Sequence, residues 1–394
     1  MIYLDNAATT PMDPRVIEVV RNSMEKDFAN SGTVYKIGLD ARRSIEKAMA
    51  MIATALHIPA THRLVFTSGG SESNNLFIKG FCFPDKKTAC LGLEHPSVTS
   101  TLDYFRGSGN TPVSLSEFQV EGRLGVESVS VLKENDVRLL CLSQVNNELG
   151  TVNEPQVISA ALKAKSPKTR LFMDGVQAVG KLKISPDLWK AVSGYSISAH
   201  KINGPKGIGL LVYDSRVDLT PQIHGGKQQF GVRSGTLPVP LILGLAEAIR
   251  LSVERLEETQ SHLIKLKNCL VDGLRTLSDK TPNLNIRFNS IVDADQRKQS
   301  PSIVNFSFAP VEGEVLLHHL EQSEIFVGLG SACSAQSREP SRILTGIGLS
   351  AEEARCSLRI SFGRQNTLSD VERFLEEFSR VYNSLFSTFR KNKS

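Results

Sequence analysis

The chain of 394 residues has no long apolar run and no leader of the basic–apolar type. A membrane-spanning helix needs roughly 18 apolar residues, and the longest candidate, residues 241–249, falls well short. The opening MIYLDNAATT has no basic stretch ahead of an apolar one, so we expect no signal peptide. These absences predict a cytoplasmic protein that does not bind membranes.

The cysteines form no CxxC pair and show no paired spacing. Their six positions are 82, 90, 141, 269, 333 and 356. This arrangement predicts neither a zinc site nor a disulfide framework, and we expect no metal site of another kind. In a reducing compartment these residues are free thiols.

The chain also lacks a strong excess of one charge: it contains 46 Lys and Arg residues and 41 Asp and Glu residues. The small excess is spread along the chain, which argues against nucleic-acid binding as the main role. Hydrophobic residues make up 40% and charged residues 22% of the chain. These are ordinary values for a globular protein, so a disordered chain is excluded.

Short apolar runs alternate with helical patterns from about residue 63 to residue 213. The predicted strands are residues 64–67, 89–93, 137–143, 171–174, 195–198 and 209–213. Several are apolar throughout, which is typical of a parallel sheet covered on both faces. The alternation predicts an α/β fold with a large, doubly wound, mostly parallel sheet.

The pattern changes near residue 250. Apolar residues recur mostly every three or four positions from Ile249 to Leu277, which predicts one long amphipathic helix. A strand around Phe306 follows, and a final helix begins at the capping pattern of Thr367 and Asp370. We therefore expect a large domain of residues 14–250 and a smaller α+β domain of residues 1–13 plus 251–394.

Polar residues follow several of the predicted strands, where doubly wound sheets bind their ligands. Gly70 and Ser71 precede a helical run and would form an anion-binding cup, although an ordinary strand–turn–helix uses the same residue types. His95, Asn147 and Asp174 follow other strands. Each of these three could equally serve a structural hydrogen bond, a turn or a helix N-cap.

Lys201 follows a predicted strand and precedes a Gly-Pro turn. A lysine there could be desolvated and act as an amine nucleophile, or it could simply occupy a surface turn. Together the strand ends supply what pyridoxal phosphate (PLP) requires: a lysine for attachment, an acid near the ring nitrogen, an anion cup and a flat group against the ring. The residues in these places are Lys201, Asp174, the cup with Ser198 and His200, and His95.

Two further candidates lie in the predicted smaller domain. Cys333 stands among small polar residues and would be a nucleophile if a positive group lay nearby, or else an incidental thiol. Arg359 alternates with apolar residues on a predicted strand. There it could hold a substrate carboxylate through two hydrogen bonds, or form an ion pair within the fold.

Nine motifs along the chain resemble those of the NifS/IscS family of cysteine desulfurases, within the fold-type I, class V PLP-dependent enzymes. They are YLDNAATTP (3–11), FTSGGSESNN (66–75), EHPSV (94–98), QVNNELGTV (144–152), MDGVQAVGK (173–181), SAHKINGPKGIG (198–209), VRSGTLPV (232–239), GSACSA (330–335) and LRISFGR (358–364). The resemblance runs from residue 2 to about residue 385. It implies a fold-type I, PLP-dependent transferase-like fold with Cys333 on a flexible segment.

The resemblance also implies roles for matching positions. Lys201 would be the Schiff-base lysine, Asp174 the partner of the pyridine nitrogen, and His95 would stack on the ring and move protons. Other cofactor contacts would come from Asn147, Gln177, Gly70, Ser71, Ser198, His200 and, from the second subunit of a homodimer, Thr236. The substrate carboxylate would be bound by Arg359, with Asn147 nearby, and Cys333 would attack the substrate sulfur.

The activity that the resemblance implies is removal of sulfur from L-cysteine, which yields L-alanine and a persulfide on Cys333. The sulfur would pass to an acceptor protein, such as an iron–sulfur scaffold or a thiolation enzyme. One alternative is a selenocysteine lyase or another PLP-dependent C–S lyase, which would not need Cys333. Another is a non-catalytic regulatory partner of a sulfur-transfer complex, although such a role would not require the intact set of site residues.

The chain departs from the family pattern at three places. Tyr35 stands where a histidine is usual, and Phe172-Met173-Asp174 replaces a sequence that usually reads HVD. Gln229 ends the segment GGKQQ, which usually reads GGGQE, so that an amide replaces the acid and Lys227 replaces a glycine. We expect these departures to affect substrate preference and rate more than the chemistry.

Overall fold

The computed structural model describes residues 1–82, 86–108, 112–295, 297–330 and 339–391. Its strands are β1 (Ile2–Tyr3), β2 (His62–Thr67), β3 (Lys87–Cys90), β4 (Val113–Ser114), β5 (Gln119–Val120), β6 (Arg123–Leu124), β7 (Val137–Ser143), β8 (Arg170–Asp174), β9 (Gly194–Ser198), β10 (Gly209–Asp214), β11 (Arg287–Phe288), β12 (Ile303–Ser307), β13 (Ile325–Phe326) and β14 (Ser357–Ser361). Its helices are α1 (Pro14–Lys26), α2 (Lys36–Ala55), α3 (Gly70–Phe81), α4 (Pro96–Asp103), α5 (Ser130–Glu134), α6 (Pro155–Lys165), α7 (Leu188–Ala191), α8 (Val239–Glu254), α9 (Leu256–Lys280), α10 (Gly313–Gln322), α11 (Arg342–Gly346), α12 (Ala351–Arg355) and α13 (Leu368–Lys391).

Seven strands in the described part of the chain form the large sheet, in the order β2, β10, β9, β8, β7, β3, β4. All run in one direction except β10, which is antiparallel to both of its neighbours. The sheet confirms the predicted α/β class, and β7 has the predicted bounds. The sequence did not predict β4, because a strand of two residues is too short for a periodic pattern to be visible.

Both faces of this sheet are covered, which explains why its strands are apolar throughout. In β7, Leu140 and Leu142 pack in a core that includes α2, α6 and α8. Leu139 and Cys141 point to the opposite face and pack with α3 and α4. Successive side chains of a strand alternate between the two faces, so a strand buried on both sides contains apolar residues at every position.

The parallel alignment brings the carboxyl ends of β2, β3, β7, β8 and β9 to one edge of the sheet. The antiparallel β10 begins at this edge, where Gly209 pairs with Thr67 and Ser198. A Cβ atom on Gly209 would lie 2.6 Å from the Cα atom of Gly69, so only glycine lets β10 pass the loop before α3. The loops that follow the parallel strands therefore meet in one place.

A second core surrounds the antiparallel sheet β11–β12–β14 and contains side chains from α9, α10 and α13. The ring of Phe378 lies 5.7 Å from that of Phe306 and 5.3 Å from that of Phe308, centroid to centroid. The predicted cap of α13 is confirmed, because the Asp370 amide donates to Thr367 Oγ1 at 3.2 Å and the Thr367 amide donates to Asp370 Oδ2 at 2.9 Å.

The single long helix predicted from Ile249 to Leu277 is wrong, because the structure divides it into α8 and α9. The main chain leaves helical geometry at Arg255, with φ −101° and ψ 14°. No glycine or proline stands at this point, and the apolar period continues across it. The usual sequence signals of a helix end are therefore missing.

The division into residues 14–250 and residues 1–13 plus 251–394 stays a prediction. Ile343 and Leu344, from the predicted smaller domain, pack in the core around the large sheet. They follow directly after the segment that contains Cys333. This part of the predicted smaller domain is therefore packed against the large sheet and not in the second core.

We predict that Phe378→Ala lowers the free energy of unfolding by about 3–5 kcal/mol, because it removes a fully buried ring from the second core. Urea denaturation followed by circular dichroism measures the change. The matched control is Phe28→Ala, since the Phe28 side chain is 75% exposed; its effect should stay below about 0.5 kcal/mol. Equal losses in the two variants would contradict the central place of Phe378 in this core.

Candidate active site

A cavity of about 360 Å³ opens where the loops after the parallel strands meet. This volume lies within the roughly 300–1,000 Å³ that small-molecule sites occupy. The residues of the predicted site that line it are Gly70, Ser71, His95, Asn147, Asp174, Gln177, Ser198, His200, Lys201 and Arg359. Thr236 is exposed and does not line this cavity, and Cys333 lies outside the described residues.

Lys201 reaches the cavity from a short turn, Ala199–Lys201, directly after β9. Its ammonium group donates hydrogen bonds to the carbonyl oxygens of Ala7 and Ala8, at 2.5 and 2.6 Å. These two alanines belong to the N-terminal segment that follows β1. The main chain of that segment therefore orients the lysine amine in the cavity.

Asp174 is the last residue of β8 and is buried at the cavity wall. Its Oδ2 atom accepts a hydrogen bond from Asn74 Nδ2 at 2.7 Å, and its Oδ1 atom accepts one from the Val176 amide at 2.9 Å. Two donors on different elements fix the orientation of the carboxylate. An acid held in this way suits a protonated ring nitrogen.

His95 caps the N-terminus of α4, and its Nδ1 atom accepts a hydrogen bond from the Ser97 amide at 3.1 Å. The neutral ring therefore carries its proton on Nε2. Burial lowers the pKa of His95, and the carboxylate of Asp174 opposes this shift. The ring is thus a neutral flat group with one N–H at Nε2. The structural interpretation of His95 as a helix N-cap is confirmed, and its chemical role stays a prediction.

The residues of the predicted anion cup lie at the N-terminus of α3. Ser198 beside it is 1% exposed, and its hydroxyl has no hydrogen-bond partner among the described residues. A Cβ atom on Gly70 would lie 2.6 Å from Val176 Cγ2, so glycine lets the helix begin this close to the loop after β8. Free amide groups of a helix N-terminus and an unpartnered hydroxyl fit a phosphate group. The residues present therefore fit PLP.

His200 also lines the cavity, and its Nδ1 atom is 3.2 Å from Thr9 Oγ1. Burial, together with the positive charge of Lys201, lowers the pKa of His200 to about 4. The ring is therefore neutral at pH 7 and can donate one N–H to an anion.

Arg359 projects from β14 into the cavity and is 2% exposed. Its guanidinium donates to Asp5 Oδ1 at 2.7 Å and to the Asn147 carbonyl at 2.9 Å. Its Nε atom is buried and has no hydrogen-bond partner within the described part of the chain. The arginine is therefore part of an internal ion pair and also keeps a donor that a substrate carboxylate could satisfy.

Several residues that shape the cavity were missed by the sequence analysis. Glu148 is buried at the wall, where burial raises its pKa to about 7, and it accepts a hydrogen bond from Ser341 Oγ at 2.5 Å. Arg342 also lines the cavity and donates to the Glu94 carbonyl at 2.6 Å. Glu148 lies inside a recognised motif, so an acid among neutral residues there was an available signal.

The residues that depart from the family pattern lie in different parts of the fold. Tyr35 is exposed before α2, and Met173 is buried in β8. Gln229 lies against β2, where its side chain accepts from the Phe66 amide at 2.6 Å and donates to the Phe66 carbonyl at 2.9 Å. None of these three residues lines the cavity in the part of the chain that the structure describes.

Four of the five cysteines within the described ranges are buried and are poor nucleophiles. Burial raises the pKa of Cys82 and Cys90 to about 12 and that of Cys356 to about 11. Burial also raises the pKa of Cys141 well above its usual value. A thiol must ionise before it attacks, so these residues are inert at neutral pH.

Two kinds of feature are missing from the described residues. No group of three or more His, Cys, Asp or Glu side chains is placed to hold a metal ion. No helix there is both long and apolar enough to cross a membrane.

The chain matches known proteins over nearly its whole length. The family model of class-V aminotransferases matches residues 2–374. The cysteine desulfurase IscS of Vibrio cholerae is 36% identical over 384 residues, which are 95% of this chain and 91% of that protein. A solved NifS-like protein has a TM-score of 0.86 at 29% identity, covering 97% of this chain and 99% of that one. The NifS-like protein of Rickettsia africae has a TM-score of 0.83 at 30% identity, with the same coverage.

These matches confirm the resemblance inferred from the motifs, and they confirm the fold class. They extend over both cores of the structure and include the strands and loops that form the cavity. The chain therefore belongs to the class-V aminotransferases and, within them, to the NifS/IscS family of PLP-dependent cysteine desulfurases.

Proposed function

We propose that this protein removes sulfur from L-cysteine, leaving L-alanine and a persulfide on Cys333, and passes that sulfur to an acceptor protein. The observation that carries the proposal is the convergence of Lys201, Asp174 and Arg359 on one cavity. An amine, an oriented carboxylate and a buried guanidinium are the groups that attachment of PLP and binding of an amino acid require.

PLP supplies, when bound, an electron sink that stabilises negative charge at the Cα atom of an amino acid. Lys201 would hold it covalently, and Asp174 would face its ring nitrogen. Ser198 and the N-terminus of α3 would bind its phosphate. The Ser198 hydroxyl supports this assignment, because it is buried with no partner among the residues described, and a phosphate oxygen would provide the missing hydrogen bond.

Lys201 would remove the Cα proton of bound cysteine, since its amine lies in the cavity. His95 would move protons through Nε2, because the Ser97 amide occupies Nδ1. In this tautomer Nε2 carries the proton, so the neutral ring would act first as a proton donor. The lowered pKa of His95 favours this neutral form.

Arg359 would bind the substrate carboxylate. Asp5 and the Asn147 carbonyl hold the guanidinium in place, while its Nε atom meets no hydrogen-bond partner in the ranges that the structure describes. A carboxylate is the natural acceptor for this donor, and a guanidinium binds it through two parallel hydrogen bonds.

The Cys333 thiolate would attack the sulfur of bound cysteine. The new S–S bond forms as the Cβ–S bond breaks, the electron pair stays on Cβ, and a proton then converts this carbon to the methyl group of alanine. Residues on either side of the Cys333 segment lie next to Glu148 of the cavity wall: Ser341 donates to Glu148, and a Cβ atom on Gly330 would lie 2.8 Å from Glu148 Oε2. This position of the two ends supports an encounter of Cys333 with the substrate.

The acceptor of the sulfur would be an iron–sulfur scaffold or a thiolation enzyme, reached in the cytoplasm. We also propose a homodimer in which Thr236 contributes to the phosphate site of the other subunit. The exposure of Thr236 and its absence from the cavity lining of its own chain support that arrangement.

Lys201→Ala should lower alanine formation from L-cysteine by about 10³-fold or more, because it removes both the attachment point and the base. Chromatography of the amino acids formed by purified protein measures the rate. Lys190→Ala, an exposed lysine paired with Asp187, serves as the control and should retain the wild-type rate. Normal alanine release by Lys201→Ala would refute the central assignment.

Cys333→Ala should abolish alanine formation from L-cysteine in the presence of a reductant, while the protein still shows the visible absorption of bound PLP. The reason is that the thiolate which accepts the sulfur is missing. Cys269→Ala removes a partly buried thiol of the second core and should leave the rate unchanged. Equal rates in wild type and Cys333→Ala would show that Cys333 is dispensable and would favour a simple lyase.

Arg359→Lys should raise the KM for L-cysteine by about 10- to 100-fold, with a smaller effect on kcat, because an ammonium group cannot form the same paired hydrogen bonds. Steady-state kinetics gives both constants. Arg355→Lys, an exposed change four residues away, is the matched control. An unchanged KM in Arg359→Lys would exclude Arg359 as the carboxylate site.

A further inference from the structure

Asn74 connects two parts of the cavity wall that lie far apart in the sequence. This residue of α3 is 1% exposed and lines the cavity. Its Nδ2 atom donates to Asp174 Oδ2, at the end of β8, at 2.7 Å, and to Ser97 Oγ, near the start of α4, at 2.8 Å. One amide group therefore uses both of its N–H bonds inside the site.

The direction of these hydrogen bonds follows from the chemistry of the groups. An ionised carboxylate only accepts, so the side chain of Asn74 must turn its NH2 group toward Asp174. The Ser97 hydroxyl accepts the second N–H, and its own proton is then left for His95 Nδ1, at 2.8 Å. The Ser97 amide donates to the same nitrogen at 3.1 Å, so Nδ1 is the acceptor of both bonds. Hydrogen bonds that begin at Asn74 thus reach the carboxylate directly and the imidazole through one hydroxyl.

The oxygen of the Asn74 amide indicates that stability alone does not explain this arrangement. Oδ1 is buried and has no hydrogen-bond partner among the described residues. A buried acceptor without a partner costs free energy, and a side chain that serves only packing would be apolar or fully paired. Asn74 instead leaves its oxygen unpaired and directs both donors to residues of the site. This pattern is typical of a residue with a functional role.

We propose that Asn74 is a positioning residue that holds Asp174 and His95 in one fixed arrangement. It acts on the carboxylate directly and on the imidazole through the Ser97 hydroxyl. This inference rests on the proposed function, in which Asp174 would face the ring nitrogen of PLP and His95 would stack on the same ring. Both groups must then be placed correctly at once, and a shared donor restricts their independent movement.

The first test measures PLP binding by the full-length protein after the cofactor has been removed, and it needs no turnover. Titration followed by visible absorption gives the dissociation constant. In Asn74→Ala this constant should rise about tenfold, because the carboxylate of Asp174 loses the bond from Nδ2. In Ser97→Ala it should stay within about threefold of wild type, since that bond remains. Asn383→Ala, an exposed change in α13, is the control and should match wild type.

The second test measures kcat and KM for alanine formation from L-cysteine. Ser97→Ala should lower kcat about tenfold, because the ring of His95 loses the hydroxyl that orients it. The KM should change less than about threefold, since the contacts of Arg359 remain. Ser97→Thr keeps a hydroxyl group and should restore kcat, and the exposed change Ser100→Ala in the same helix should have no effect. A general loss of structure would change both constants together.

A double variant tests whether Ser97 carries the effect of Asn74 to His95. Without Asn74, the Ser97 hydroxyl can turn away from the imidazole, so its further removal should matter less. Asn74→Ala combined with Ser97→Ala should therefore lower kcat by at least about threefold less than the product of the two single losses. Independent residues would give the full product, and that result would overturn the coupling.

An unchanged dissociation constant of PLP in Asn74→Ala overturns the proposal, and so does a wild-type kcat in Ser97→Ala. If Asn74→Ala does not fold, Asn74→Ser gives the same tests, because a single hydroxyl cannot donate to both partners. A wild type that binds PLP but forms no alanine contradicts the proposed function. The PLP titration of Asn74→Ala then still decides for or against the positioning role.

Discussion

The main-chain carbonyl groups around the cavity hold its cations, and the properties of the site depend on this arrangement. Lys201, Lys181 and Arg359 all donate to backbone oxygens, and Arg359 also forms an ion pair with Asp5. A carbonyl oxygen orients a cation without cancelling its charge. For two of the buried acids, burial favours the neutral form. It raises the pKa of Glu94 to about 8 and that of Glu148 to about 7. The cavity therefore favours anions, such as the phosphate of PLP and the carboxylate of an amino acid.

The large sheet and the polar residues at its edge can be predicted from the sequence, because an apolar strand and the residue that ends it are neighbours along the chain. Asp174, Ser198 and Lys201 are found in this way. The part played by the N-terminal segment cannot be predicted so directly. Ala7 and Ala8 contribute carbonyl oxygens. Every residue has a main-chain carbonyl, so the residue type does not show which carbonyl accepts a hydrogen bond.

The contacts that hold the site residues in place also cannot be predicted from local sequence patterns, because they join residues far apart in the chain. Asn74 meets Asp174 across 100 residues of sequence, and Ser341 meets Glu148 across 193. Such pairs form only when the strands have aligned and the core around the large sheet has packed. The end of α8 at Arg255 could not be predicted either, since no local residue type signals it. Only the packing of α8 and α9 into different cores distinguishes the two helices.

The contact between Gln229 and Phe66 affects whether a strand of another molecule can pair with β2. β2 is an end strand of the large sheet, and end strands expose main-chain groups that can pair with other chains and start aggregation. The Gln229 amide occupies both the N–H and the carbonyl of Phe66. A carboxylate, which the family usually has at this position, would accept one of these bonds but could not donate the other. With glutamine in place of the acid, both main-chain groups of Phe66 are occupied. A strand of another molecule therefore cannot pair with β2 at this residue.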